Sequence, residues 1–185
     1  MAYRPLDRIW TAADAGSGSV SLDMLKAQMY IDASDQDTLI THYGDTAVAS
    51  VEKSTQRLLS PRACSLSLRG LPSGKCPIEL PGGVVASVTS VFVDGAEFTG
   101  CTAIGHSPAV LIPAADWPKV TGDGYDVVIS YVAGYSNIPQ DLVQAVLMIA
   151  AELEQRRTDG VEGALSPALI CAEYLMRPYR IMPIR

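Results

Sequence analysis

Apolar residues dominate the stretch from Leu142 to Leu153, where only Gln144 and Glu152 are strongly polar. Pro139 precedes it, a residue suited to helix starts. At helical spacing Asp141, Gln144, Met148, Glu152 and Gln155 fall on one narrow line, and every other face is apolar. A surface helix carries one apolar stripe; a helix that is apolar nearly all round is buried. This third helix is therefore predicted to be the centre of a core, or to lie partly against other subunits. Its core positions are Leu142, Val146, Leu147, Ile149 and Leu153. The stretch is too short to cross a bilayer, which needs about 20 apolar residues, so no membrane partner is expected.

The same periodicity places the other elements. Helix one is expected from Leu22 to Tyr30, capped by Ser21, with Leu22, Leu25 and Met29 on one face. Helix two is expected to open at Ser34, whose spacing to Asp37 imitates a capping box, and to run to Leu59, with Pro61 stopping it. Its apolar stripe is Leu39, Ile40, Tyr43, Ala47, Val51 and Leu58, and Gly44 is a possible kink. Residues 64–133 have β character, with strands in SLSL, IELP, VVASVTSVFV and YDVVISYV. Asp94-Gly95 between Val93 and Ala96 is a two-residue hairpin signal. Gly and Pro at 70–83 and 105–124 mark loops. Ser166-Pro167 opens helix four and Pro178 ends it. Residues 1–18 read as an extended arm with a Gly/Ser joint at 15–19, and Ile9 and Trp10 are placed to pin it. The fold class is α+β: a core of four helices with a β-hairpin-rich insertion between helices two and three, in one domain spanning residues 1–185.

Three segments carry a family resemblance. The first is YVAGYSNIPQDLVQAVLMIAAELEQRR, residues 131–157: a strand ending in Tyr-x-Ala-Gly-Tyr, a short loop, Pro, then the apolar helix. The second is SVSLDMLKAQMYIDASDQDTLI, residues 19–40, and the third is the strand pair IELPGGVVASVTSVFVDG, residues 78–95. In this order they resemble the head–tail connector (adaptor) proteins of tailed phages and gene transfer agents. The resemblance implies a structural, non-enzymatic protein of the virion, made in the host cytoplasm. It implies a dodecameric ring below the portal protein, through which DNA passes without specific binding. It also implies that the C-terminal segment inserts into the portal, and that the hairpin at Asp94 and Gly95 reaches a stopper or other neck or tail-completion protein. One departure stands out: TDGVEGALSPALI, residues 158–170, is longer than the compact loop that the family has after helix three.

Composition agrees with a globular chain. Its 185 residues suffice for a real core, and no stretch reads as a signal peptide. The net charge of −6 argues against a nucleic-acid reader, which needs clustered Lys and Arg. The 14 basic residues are scattered except at residues 177–185, RPYRIMPIR, which hold three arginines and no acid. Removing that +3 from the net −6 leaves −9 on the rest, an acidic body that suits a conduit for DNA.

Catalytic chemistry is sparse. Cys64, Cys76, Cys101 and Cys171 show no C-x-x-C spacing, and a cytosolic chain is expected to keep them as free thiols. Cys101 and His106 are spaced too loosely for a zinc site, so neither a metal nor a cofactor is expected. A small hydrolase with Cys101 or Cys64 as nucleophile and His106 or His42 as base is the enzymatic alternative, without a local signature to support it. A protein-binding module of a non-viral assembly is the third reading. Asp32, Asp35 and Asp37 lack the glycine and closing Glu of a calcium loop, and helix capping explains them better.

The C-terminal residues Arg177, Tyr179, Arg180, Ile181, Met182, Ile184 and Arg185 mix the types enriched in interfaces. Pro178 and Pro183 are expected to keep the segment extended. It reads as a docking tail, and under the resemblance its partner is the portal.

Overall fold

The computed structural model describes residues 8–13, 20–105, 108–120, 124, 126–156 and 167–181. The chain divides into two compact units: Met1–Asp14 with Ser60–Ser136, and Ala15–Leu59 with Asn137–Arg185. Among the described residues there are four α-helices and eight strands, all paired antiparallel, so the α+β expectation holds.

The helical unit contains α1 (Leu22–Met29), α2 (Asp37–Thr55), α3 (Gln140–Gln155) and α4 (Pro167–Met176). The Ser21 hydroxyl accepts the Met24 N–H at 3.3 Å, as the sequence predicts for an N-cap. Helix α2 is shorter than predicted at both ends. Ser34 offers only its carbonyl, to the N–H of Asp37, and no capping box forms. Asp37 instead meets Lys26 of α1 at 2.6 Å, tying the end of one helix to the start of the next. At the other end Gln56 turns left-handed (φ 58°) and the Glu52 carboxylate accepts the N–H of Leu59 at 2.8 Å, so the chain leaves the helix before Leu59.

The buried stripe of α2 is Ile40, Gly44, Ala47, Val48, Val51 and Thr55. It is rotated from the predicted one, and Leu39 is left partly exposed. Gly44 lies within one continuous helix, not at its end. A Cβ there would lie 2.6 Å from Leu25 Cδ1, so the missing side chain lets Leu25 of α1 seat on α2. Helix α3 packs on α1, α2 and α4, which explains its apolar circumference. Leu142, Val146, Leu147 and Ile149 are buried and Leu153 is half-buried. The exception to the predicted polar line is Glu152, which is buried and paired with Arg156.

The other unit is built from β1 (Arg8–Ala12), β2 (Arg62–Leu68), β3 (Ile78–Leu80), β4 (Val85–Val93), β5 (Ala96–Glu97), β6 (Cys101–Ile104), β7 (Ala109–Pro113) and β8 (Val127–Ala133). One sheet runs β1-β2-β8-β4-β5 and the other β3-β7-β6. Period-2 alternation sends Cys64, Leu66 and Leu68 of β2 to the same face as their partners Tyr131, Ile129 and Val127 of β8. Val91 and Val93 of β4 extend that buried face. In the second sheet Ile78 faces Leu111 and Leu80 faces Ala109, all buried. The Tyr131 hydroxyl donates to the Pro81 carbonyl at 2.9 Å, linking the first sheet to the end of β3. Part of the predicted arm is thus a strand, β1, and part of the predicted 105–124 loop is β7.

Candidate docking site

The C-terminal segment is not simply extended. Beyond α4 the chain makes a 3₁₀ turn at Arg177–Tyr179 that includes Pro178, so the proline shapes a turn rather than breaking one. Five contacts then fasten residues 179–181 to their own helical unit. The Ile181 N–H donates to the Thr55 carbonyl at 3.1 Å. The Arg57 Nε donates to the Tyr179 carbonyl. The Tyr179 hydroxyl donates to Asp141 at 3.1 Å, at the start of α3. Arg180 donates to the Ser54 hydroxyl at 2.9 Å and pairs with Glu173 of α4 at 3.3 Å. Local chemistry explains the arrangement. The last carbonyls of a helix lack intrahelical partners, and Thr55 ends α2. The left-handed Gln56 then turns the chain before Arg57. Arg177, Pro178 and Arg180 remain exposed. Of the predicted docking residues, Met182, Ile184 and Arg185 lie outside the described residues.

The predicted hairpin forms as expected. Asp94 (φ 51°) and Gly95 (φ 78°) both take positive φ, the requirement of a two-residue type I′ turn, and Val93 pairs with Ala96. The Asp94 N–H donates to the Asp126 carbonyl at 2.8 Å and the Phe98 N–H to the Val91 carbonyl at 2.7 Å. Residues 94–97 are all exposed, so the tip is open to contact.

A groove of about 230 Å³ lies in the helical unit among Met29, Tyr30, Met148, Ala151, Glu152 and Ala168. Tyr30, in left-handed conformation at the end of α1, is 95% exposed. Ile170 and Tyr174, one turn apart on α4, are 55% and 74% exposed. Sequence periodicity does not single out these two as a surface pair, because α4 is apolar on most sides.

The residues weighed for catalysis sit differently. Cys64 is buried and Cys101 half-buried, and burial pushes both thiols up. That is opposite to the thiolate character a nucleophile needs. His42 is exposed, with its ring 6.5 Å from that of Tyr43, and His106 lies outside the described residues. Among the described residues no group of three or more His, Cys, Asp or Glu is placed to hold a metal ion, and no helix is long and apolar enough to cross a membrane.

No protein-family model and no curated protein matches the chain. Solved structures do. A chain of the neck of an empty gene transfer agent particle, computed with C6 symmetry, superposes with a TM-score of 0.80 at 24% identity, covering 96% of this chain and 97% of that one. A chain of the neck of the native particle, computed with C12 symmetry, gives 0.73 at 24% identity over the same shares. A chain of the virion of the native particle gives 0.79 at 25% identity, again over 96% and 97%. The chain therefore shares, over nearly its full length, the fold of a gene transfer agent neck protein, in line with the head–tail connector resemblance carried by its sequence.

Proposed function

We propose that the chain is a structural head–tail connector of a tailed phage or gene transfer agent, located in the neck of the particle. The observation that carries this reading is the likeness to neck chains over 96% of the length. In this reading twelve copies form a ring between the portal protein and the next neck or tail protein, in keeping with the C12 symmetry with which the native neck was computed. The segment around Arg177, Tyr179, Arg180 and Ile181, continuing through Met182, Ile184 and Arg185, docks on the portal. The open hairpin tip at Asp94 and Gly95 contacts the protein on the tail side. DNA passes through the ring, and the acid excess of the chain keeps phosphates from sticking. The exposed Tyr30, Ile170 and Tyr174 support a surface meant to be covered by other chains. Its chemistry is that of shape and contact rather than of catalysis.

The test is removal of the chain from cells that produce the particle. Heads should still fill with DNA but remain without tails, and supplying the protein in trans should restore tailed particles. Tails attached at the normal frequency in its absence would overturn the reading.

A further inference from the structure

The strap at residues 177–181 is more elaborate than the end of a helix requires. One bond would satisfy the open Thr55 carbonyl. Instead three helices and the turn after α2 contribute: Ser54, Thr55 and Arg57 from the end of α2 and just beyond it, Asp141 from α3 and Glu173 from α4. The strap's own side chains are not core: Arg177, Pro178 and Arg180 are exposed, and Tyr179 and Ile181 only half-buried. Segments of that exposure near a chain end commonly fray. Here two bonds grip the backbone itself, at the Tyr179 carbonyl and the Ile181 N–H, and so set the direction of the chain rather than merely covering a side chain.

We propose that Arg57 is a positioning residue for docking: with the Thr55 carbonyl it clamps the strap to the end of α2, so that residues 177–181 are held in one conformation for the partner. The inference rests on the portal-docking role proposed above. Its physical basis is preorganisation. A segment ordered before contact loses less conformational freedom when it binds, and the saving appears as affinity without any new contact to the partner. Arg57 suits the task because its planar guanidinium follows the left-handed Gln56 and reaches a carbonyl 122 positions away in sequence.

The experiment compares the full-length wild-type protein with Arg57→Ala, Arg57→Lys and Tyr179→Phe. It measures amide exchange at Ile181, thermal melting, and binding to purified portal rings. Arg57→Ala should speed exchange at Ile181, leave the melting temperature within a few degrees, and weaken portal binding roughly tenfold. Arg57→Lys should restore part of the loss, and Tyr179→Phe should weaken binding to a smaller extent. Should Arg57→Ala fail to fold, Arg57→Lys carries the test, with faster exchange at Ile181 and weaker portal binding expected. Faster exchange with unchanged or tighter binding would overturn the positioning role while leaving the docking role intact. Absence of binding by the wild-type protein would overturn the docking role, and this inference with it.

Discussion

Tyr131 concentrates much of the β unit in one side chain. It is 1% exposed, pairs across the sheet with Cys64, and donates its hydroxyl to the Pro81 carbonyl. Burial pushes its phenol well above the usual range, with Cys64 adding to the shift and the Trp10 indole hydrogen bond and Arg8 opposing it. Burial likewise raises the Cys64 thiol. Both groups stay protonated in the folded state at pH values where the unfolded chain has begun to release those protons. The unfolded state then binds fewer protons, and stability falls as pH rises. The fall should begin near the unfolded thiol pKa, about 8.5, and steepen above the unfolded phenol value of about 10. Below those values the contribution is fully present. Tyr131→Phe should cost about 1–2 kcal/mol at neutral pH by leaving the Pro81 carbonyl unpaired. It should also flatten the alkaline limb, and denaturant melts at pH 7 and pH 10.5 check both. Gly134 is a second sensitive point. Its φ is 128° and a Cβ there would sit 2.1 Å from the Ser60 carbonyl oxygen, a backbone atom that cannot swing aside. Gly134→Ala should therefore cost about 2–4 kcal/mol through forced backbone movement, against about 1 kcal/mol for Gly95→Ala, where the positive φ is strained but the space is open. Equal losses in the two variants would show that conformation, not the clash, dominates.

At the level of elements, α3 carries the helical unit because it packs more extensively on the other three helices than any of them does. Leu147→Asp places a carboxylate at a position 6% exposed, with several kcal/mol lost against a total stability of about 5–15 kcal/mol. The variant should be unfolded or aggregated at 25 °C; a cooperative wild-type-like melt by circular dichroism would mean that α3 is not the core. This helix was legible in the sequence because its signal is local and long. The Asp94-Gly95 hairpin was legible for the same reason, since turn chemistry and strand pairing lie within four residues. The misses share a cause as well. Strand β1, RIWTA, has neither length nor clean alternation, and its partner β2 lies more than fifty residues away, so nothing nearby announces it. Strand β7 is five residues between a Ser-Pro and an Ala-Ala-Asp; its near partner β6 is only four residues with no strand signal of its own, and its other partner β3 comes from before the β4–β5 hairpin. The buried stripe on α2 departs from its periodicity because Gly44 and Thr55 are core residues there only through contacts with other segments: Leu25 fills the space over Gly44, and Ile181 takes the Thr55 carbonyl. The C-terminal segment stands out by composition, but its strap does not, because Arg57, Asp141 and Glu173 meet it only once the helices have packed.

For the whole molecule, the open question is what covers the apolar side chains left at the surface. Tyr30, Ile170 and Tyr174 on the helical unit, and Ile9, Phe92 and Ile104 on the β unit, are all more than a third exposed. A ring of identical copies would bury such groups through a heterologous contact, with a different patch on each side of the seam. In the ring proposed here the polar face of α2 contributes the flanking polar contacts. Every copy of so acidic a chain repels its neighbours, and at −6 per chain the repulsion grows with each subunit added. A closed ring gains its last contact only on closure, so partial rings are disfavoured, and a portal that already presents repeated docking points removes that barrier. The free protein should accordingly be a monomer in dilute buffer and become a ring on addition of portal. Light scattering should show a mass of one chain alone and a defined multiple on the portal. Raising the salt concentration, which screens the like charge, should promote self-association of the free protein. A stable dimer with two-fold symmetry, unchanged by portal, would count against the connector and in favour of a binding module of another assembly.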